Sequence, residues 1–302
     1  MAENLAAVLT VTWASQVASG FILGDPSAPV ETRYAADAAT GVTFRLRWLP
    51  HRELRTDTRA LESRGILNPN RDEATLFRDP RDPSGRHCFL CPENVRVCHP
   101  REKLVPLQAG GRAWRAGANF AWLAQNHFTV MTADHVDQDF DEAVLEAMLE
   151  IYEQTGGAYR VVFNGAYAGA TIPWHLHFHV TTDAFPVEGL KPGRDEDYPT
   201  PLRVFVMEPS LVTAVAGFVG AWEQRDPAHH RVNLLVASHA GSAAVYVFLR
   251  DTRATIAANK GLMGGWEVAG DFAYSEQRQQ FETADLETVR TAFAAIRPPA
   301  LR

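Results

Sequence analysis

The 302-residue chain is short of cysteine, of basic charge and of long apolar runs, and each shortage excludes something. Its three cysteines, Cys88, Cys91 and Cys98, fall in one short stretch. An odd, clustered count argues against a disulfide framework and for a reducing compartment, so a cytoplasmic location is expected. Lys and Arg number 29 against 36 Asp and Glu, a net charge of −7. Nonspecific grip on DNA or RNA needs a concentrated basic surface, so no nucleic-acid partner is expected. A mildly acidic chain still binds anionic nucleotides where backbone N–H groups and a few cations gather in one pocket. No apolar run reaches the ~18–20 residues of a membrane-spanning helix, so no membrane partner is expected. The opening, Met1 to Gly20, is amphipathic, carries Glu3 and lacks a basic n-region. It reads as a first helix rather than a signal peptide.

What is present is an ordinary globular composition, 46% hydrophobic, with a length that suits one large domain or two moderate ones. Val42 to Trp48 predicts a strand, and the polar stretch from Asn68 to Gly85 predicts a loop. Phe128 to Thr132 is a short β-rich run. In Asp139 to Gln154, residues Phe140, Val144, Leu145, Met148, Leu149 and Tyr152 recur at helical spacing, and Gly156-Gly157 stops the helix. Arg160 to Phe163 predicts a strand, Gly165 to Gly169 a small-residue turn, and Trp174 to Thr181 a strand by alternation. Pro186 to Pro201 is the most polar segment and predicts a linker. Beyond it come a strand at Leu202 to Met207 and a helix at Ser210 to Arg225. A strand pair follows, Val232 to Ala237 and Ala244 to Arg250, joined through Ser238 to Ser242, then a last helix at Thr283 to Ile296. The expected class is α+β with a mostly antiparallel sheet, in halves 1–188 and 189–302 that each hold paired strands and a helix.

The chemistry concentrates in His175-Leu176-His177-Phe178-His179. Side chains alternate along a strand, so the three imidazoles share one face while Leu176, Phe178 and Val180 anchor the other. One histidine in a strand is ordinarily a solvated or satisfied side chain. Three in strict alternation point to metal ligation or phosphoryl chemistry. The preceding Asn164-Gly165-Ala166-Tyr167-Ala168-Gly169-Ala170-Thr171 lets backbone N–H groups approach an anion, with Asn164 and Thr171 as side-chain donors and Gly169 permitting close approach. Cys88-Phe89-Leu90-Cys91 is a C-x-x-C pair, and with no thioredoxin-like βαβ pattern around it half of a zinc site is the better reading. Two sets could complete it: Cys98 with His99 nearby, or His135 with His175 at a distance.

The stretch Asn164 to Thr181 resembles the histidine-triad (HIT-like) superfamily. Within it the likeness is to the branch holding galactose-1-phosphate uridylyltransferase, diadenosine tetraphosphate phosphorylase and GDP-hexose phosphorylase. That resemblance implies a HIT-like fold with two related halves. It implies a nucleotidyltransferase or phosphorylase that cleaves a nucleoside diphosphate sugar or a dinucleoside polyphosphate, with His177 nucleotidylated and then relieved by phosphate, a sugar phosphate or water. It also implies a structural zinc on Cys88, Cys91, His135 and His175, since related zinc-bearing enzymes use a C-x-x-C, a histidine ahead of a helix and the first triad histidine. His179, the second expected catalytic residue, departs from the pattern, because transferases and phosphorylases of this branch usually carry glutamine there and hydrolases histidine. A second H-x-H metal site of some uridylyltransferases has no counterpart.

His230 to Val236, Val245 to Arg250 and Gly264 to Gly270 resemble the second half of nucleotide phosphorylases, with Arg231, Arg250 and Lys260 as candidate phosphate ligands. The resemblance leaves room for a homodimer. Three alternatives stand beside it: a hydrolase of the same bonds, a zinc-stabilised nucleotide-binding protein, and a biosynthetic enzyme repurposed away from nucleotidyl transfer.

Overall fold

The computed structural model describes residues 4–71, 88–170, 172–255 and 263–298. Its strands, in chain order, are β1 (Thr32–Ala36), β2 (Thr43–Trp48), β3 (Leu104–Ala109), β4 (Arg112–Ala118), β5 (Phe128–Thr132) and β6 (Arg160–Asn164). They continue with β7 (His177–Thr181), β8 (Leu202–Val206), β9 (His230–His239), β10 (Ser242–Asp251) and β11 (Asp271–Tyr274). Eight of them form one sheet in the order β3-β4-β5-β7-β6-β9-β10-β8, and β1, β2 and β11 form a small second sheet. Every pairing in the large sheet is antiparallel. The class is α+β, as the periodicities imply.

Alternation along β7 and β6 sorts two cores onto the two faces of the large sheet. Phe163, Phe178 and Val180 pack with Leu234 and Val236 of β9 under three helices, Leu5–Ala18, Glu142–Gln154 and Leu211–Glu223. Val162, Leu235 and Phe248 face the other way, under the small sheet and the helix Leu286–Ile296. A fully buried side chain such as Phe178 contributes roughly 1.5–3 kcal/mol. Its neighbours His177 and His179 are thereby forced onto the second face.

Several expectations need correcting. The strand read from Trp174 begins only at His177, because the Leu176 N–H turns away to the Val136 carbonyl at 2.6 Å. His175 therefore sits in the bend that feeds β7. The join between β9 and β10 is tighter than read. Ala240 (φ 49°) and Gly241 (φ 85°) both lie in the left-handed region and close a two-residue hairpin of the kind that matches strand twist. The segment read as a linker is packed: Val187, Leu190 and Tyr198 belong to the second core, and the Tyr198 hydroxyl donates to the Val268 carbonyl at 2.9 Å.

The large sheet also runs unbroken across the division expected near 188. β6 pairs directly with β9 from Val161↔Val236 to Asn164↔Asn233, and β11 pairs with β2 in parallel. We propose that the halves 1–188 and 189–302 arose by duplication; the two share sheets and cores. Among the described residues no helix is long and apolar enough to cross a membrane.

Candidate active site and metal centre

Cys88, Cys91, His135 and His175 meet at one point, with ligand atoms all within 4.8 Å of one another. The bend before β7 brings His175 Nδ1 to 3.2 Å from Cys88 Sγ and 3.7 Å from Cys91 Sγ, and the loop after β5 brings His135 Nδ1 to 3.5 Å from Cys91 Sγ. Donors 2.0–2.3 Å from a tetrahedral zinc stand about 3.3–3.8 Å apart, so these spacings fit a shared ion. The electrostatics fit too. A hydrogen bond from Cys91 and then the His175 ring hold the Cys88 thiol well below its ordinary range, which favours a thiolate ligand. The outer nitrogen of His175, Nε2, donates to the Thr132 carbonyl at 3.1 Å and fixes the ring. Three of the four donors are buried and His135 is exposed.

The rival set does not assemble. His99 turns into the core against Phe21, Phe89 and Phe120, with Nδ1 donating to the Ile66 carbonyl at 2.8 Å. Burial pushes its pKa down to about 4. An unfolded histidine protonates near 6.5, so between those values the unfolded chain binds more protons and stability falls as pH drops. The His99 share of that loss is on the order of 3 kcal/mol. His99→Phe should shrink the stability difference between pH 7 and pH 5 measured by urea unfolding. An unchanged difference would remove His99 from the acid response.

His177 is buried and held at both ends. Its Nδ1–H donates to the His175 carbonyl at 2.7 Å, which leaves the lone pair on Nε2. Burial first, only partly opposed by that bond, lowers its pKa to about 4, so the ring is neutral near pH 7. Its backbone is clamped by Gln138, a fully buried side chain the sequence did not single out. The His177 N–H donates to Gln138 Oε1 at 2.7 Å, and Gln138 Nε2 donates to the His177 and Asn164 carbonyls at 2.8 and 2.7 Å. Gln138 thus bridges β6 and β7 where their ladder opens.

His179 is tied to His127, which had no motif to recommend it. The Leu123 N–H donates to His127 Nδ1 at 3.0 Å, so His127 carries its proton on Nε2 and donates to His179 Nδ1 at 3.1 Å. The hydrogen-bond network thereby assigns the His179 proton to Nε2. Trp266 packs on both rings, with centroids 4.8 Å from His127 and 5.6 Å from His179. Burial, then His177 and Arg52, depress His179 to about 3. Arg52, another residue the sequence reading missed, donates to the Ala121 carbonyl and makes no ion pair among the described residues. Burial lowers even its guanidinium to about 9.

The turn after β6 packs closely on the C-terminal segment, which accounts for Gly169 without a ligand. Gly169 has φ 110°, and a Cβ there would stand 2.3 Å from the Gly264 Cα. Among the described residues, the N–H groups of Ala166, Tyr167, Gly169 and Ala170 have no acceptor. Tyr167 is half-exposed and left-handed at φ 61°. Thr171 and Lys260 lie outside the described residues. Arg250 is fully buried, donating to Asn233 and to the Met263 carbonyl, and Arg231 donates to the Pro227 and His230 carbonyls; both are occupied within the protein.

This architecture matches solved structures of yeast Ap4A phosphorylase Apa2. The complex with AMP is 15% identical, with 98% of this chain and 97% of that one covered and a TM-score of 0.63. The complex with Ap4A is 14% identical over 97% of each chain, with a TM-score of 0.62. The chain shares that HIT-like fold. At such identity the likeness carries the fold and not the reaction. It falls on the same branch that the histidine motif resembles. A family model described as a domain of unknown function (DUF4922) matches residues 45–182, from β2 through β7. No curated protein matches the sequence.

Proposed function

We propose that the protein is a nucleotidyltransferase or phosphorylase acting on a dinucleoside polyphosphate or a nucleoside diphosphate sugar. The observation that carries this is the His177 ring, neutral, with Nδ1–H spent on the His175 carbonyl and Nε2 left as nucleophile. In the first step Nε2 attacks the α-phosphorus, the Nε2–P bond forms, and the anhydride P–O bond breaks with its electron pair leaving on the departing phosphate. In the second an acceptor oxygen attacks the same phosphorus and the Nε2–P bond breaks, returning the neutral ring. The free N–H groups of the turn hold the phosphoryl oxygens, and Arg52, whose charge helps lower the His179 pKa, adds positive charge to the site.

Cys88, Cys91, His135 and His175 would hold zinc in a closed structural site, fixing the His175 carbonyl to which His177 donates. A homodimer in a reducing compartment belongs to the same proposal. The test is incubation with nucleotide sugars and dinucleoside polyphosphates, with and without phosphate, followed by product masses. Phosphate-dependent release of a nucleoside diphosphate supports the reading, and no turnover of any of them defeats it.

A hydrolase of the same bonds is the second reading, favoured by His179 and its partner His127. Two roles for His179 differ in what they predict. As a neutral Nε2–H donor it resembles the amide of glutamine, which donates without titrating. Its depressed pKa keeps it uncharged across neutral pH. His179→Gln should therefore keep the rate within about tenfold, with the variant-to-wild-type ratio flat from pH 6 to 8. A ratio that bends in that window would identify His179 as an acid or base instead.

A further inference from the structure

The turn before the bend is held by the C-terminal segment as well as by its own strand. Asn233, fully buried on β9, donates through Nδ2 to Asn164 Oδ1 at 2.8 Å and to the Ala168 carbonyl at 2.7 Å. Its Oδ1 accepts from Arg250 on β10, whose other terminal nitrogen donates to the Met263 carbonyl at 2.9 Å. The Gly265 N–H donates to the same Asn164 Oδ1 at 2.6 Å.

The sense of these amides is forced. A guanidinium only donates, so the end of Asn233 that meets Arg250 is oxygen and its other end is nitrogen. That nitrogen needs an oxygen on Asn164, and the Gly265 N–H independently needs the same. Asn164 thus spends Oδ1 inward twice, and Nδ2 is the group left for the opposite side.

We infer that Asn233 is a positioning residue for substrate phosphate: it fixes Asn164 with its amide nitrogen as an outward donor and pins the Ala168 carbonyl inward, leaving the turn's N–H groups for the anion. This rests on the reading that the turn binds the phosphate next to His177. It gives the C-terminal segment a part in the site without any contact to substrate, and it explains why the turn sits where β6 meets β9.

Two near-isosteric variants test it. Asn233→Asp keeps shape and a partner for Arg250 but withdraws both donors, so Asn164 loses its orientation. Asn164→Asp keeps the inward acceptor for Asn233 and Gly265 and changes only the outward group. The probes are the four common nucleoside monophosphates in turn, titrated calorimetrically, together with intact-mass detection of a nucleotidyl-His177 adduct from diadenosine tetraphosphate. Each variant should weaken monophosphate binding about 10- to 100-fold, the range for a lost hydrogen bond to a charged group, with a melting temperature within a few degrees of wild type. Wild-type affinity in a folded Asn233→Asp would overturn the inference. If Asn233→Asp does not fold, wild-type affinity in Asn164→Asp overturns it alone. Wild type that binds no monophosphate and forms no adduct defeats the function and this inference together. A wild-type adduct alongside unaffected variants defeats only the inference.

Discussion

His177→Ala should lose turnover by about 10⁴- to 10⁶-fold while the protein still folds and still binds metal. The scale follows from removing a covalent nucleophile rather than a supporting group, since the two-step path is then closed and only direct attack by the acceptor remains. Folding should survive because the ring donates one hydrogen bond, to a neighbouring carbonyl, and the strand is held by other contacts. Those are the Gln138 clamp on its backbone and the Phe178 and Val180 side chains in the first core. Intact-mass measurement with substrate should show a nucleotidyl adduct on wild type and none on the variant. Activity within tenfold of wild type would rule out the covalent route and leave the pocket as a binding site.

The second large effect concerns the metal centre. Cys88→Ser should release zinc, lower the melting temperature by something on the order of 10 °C and reduce turnover, even though Cys88 is not the proposed nucleophile. The stability loss arises because four side chains from distant stretches close on one point and their binding free energy is folding free energy. The activity loss arises one residue step away. His175 would supply a ligand nitrogen, and its carbonyl fixes the His177 tautomer, so a freed His175 should also free the proposed nucleophile. Metal analysis and a melting curve on the same preparations check both. Purified protein without metal and with undiminished stability would contradict the site, and chelator treatment of wild type should reproduce the variant.

Much of the candidate site was legible because its chemistry is written contiguously. The H-x-H-x-H run, the turn before it and the C-x-x-C pair are local patterns, and His135 was found from its place between a strand and a helix. What escaped was of another kind. His127, Gln138, Arg52 and Asn233 are single polar residues with no repeat or spacing around them, and each acquires meaning only from a partner far along the chain. The fold shows the same division. The helix at Glu142–Gln154 and strands β5, β6, β9 and β10 carry strong periodicity and were read. Strands β1, β3, β4 and β11 were not. β3 lies at the edge of the large sheet with an exposed Pro106, a residue that edges tolerate and sequence patterns count against a strand. The prolines and charges of 186–201 read as a linker because composition does not reveal that Val187, Leu190 and Tyr198 point inward.

The pairing of β6 with β9 has a consequence during synthesis. A nascent chain that has emerged only through β7 has both strands of the histidine region in place, yet β6 still offers a bare edge, and β2 waits for β11 from near the end of the chain. Until β9 arrives, that edge is an open template for stray strands, and Asn164 has no fixed orientation. The candidate site therefore matures late and all at once, and a ribosome-stalled fragment ending before β9 should engage chaperones.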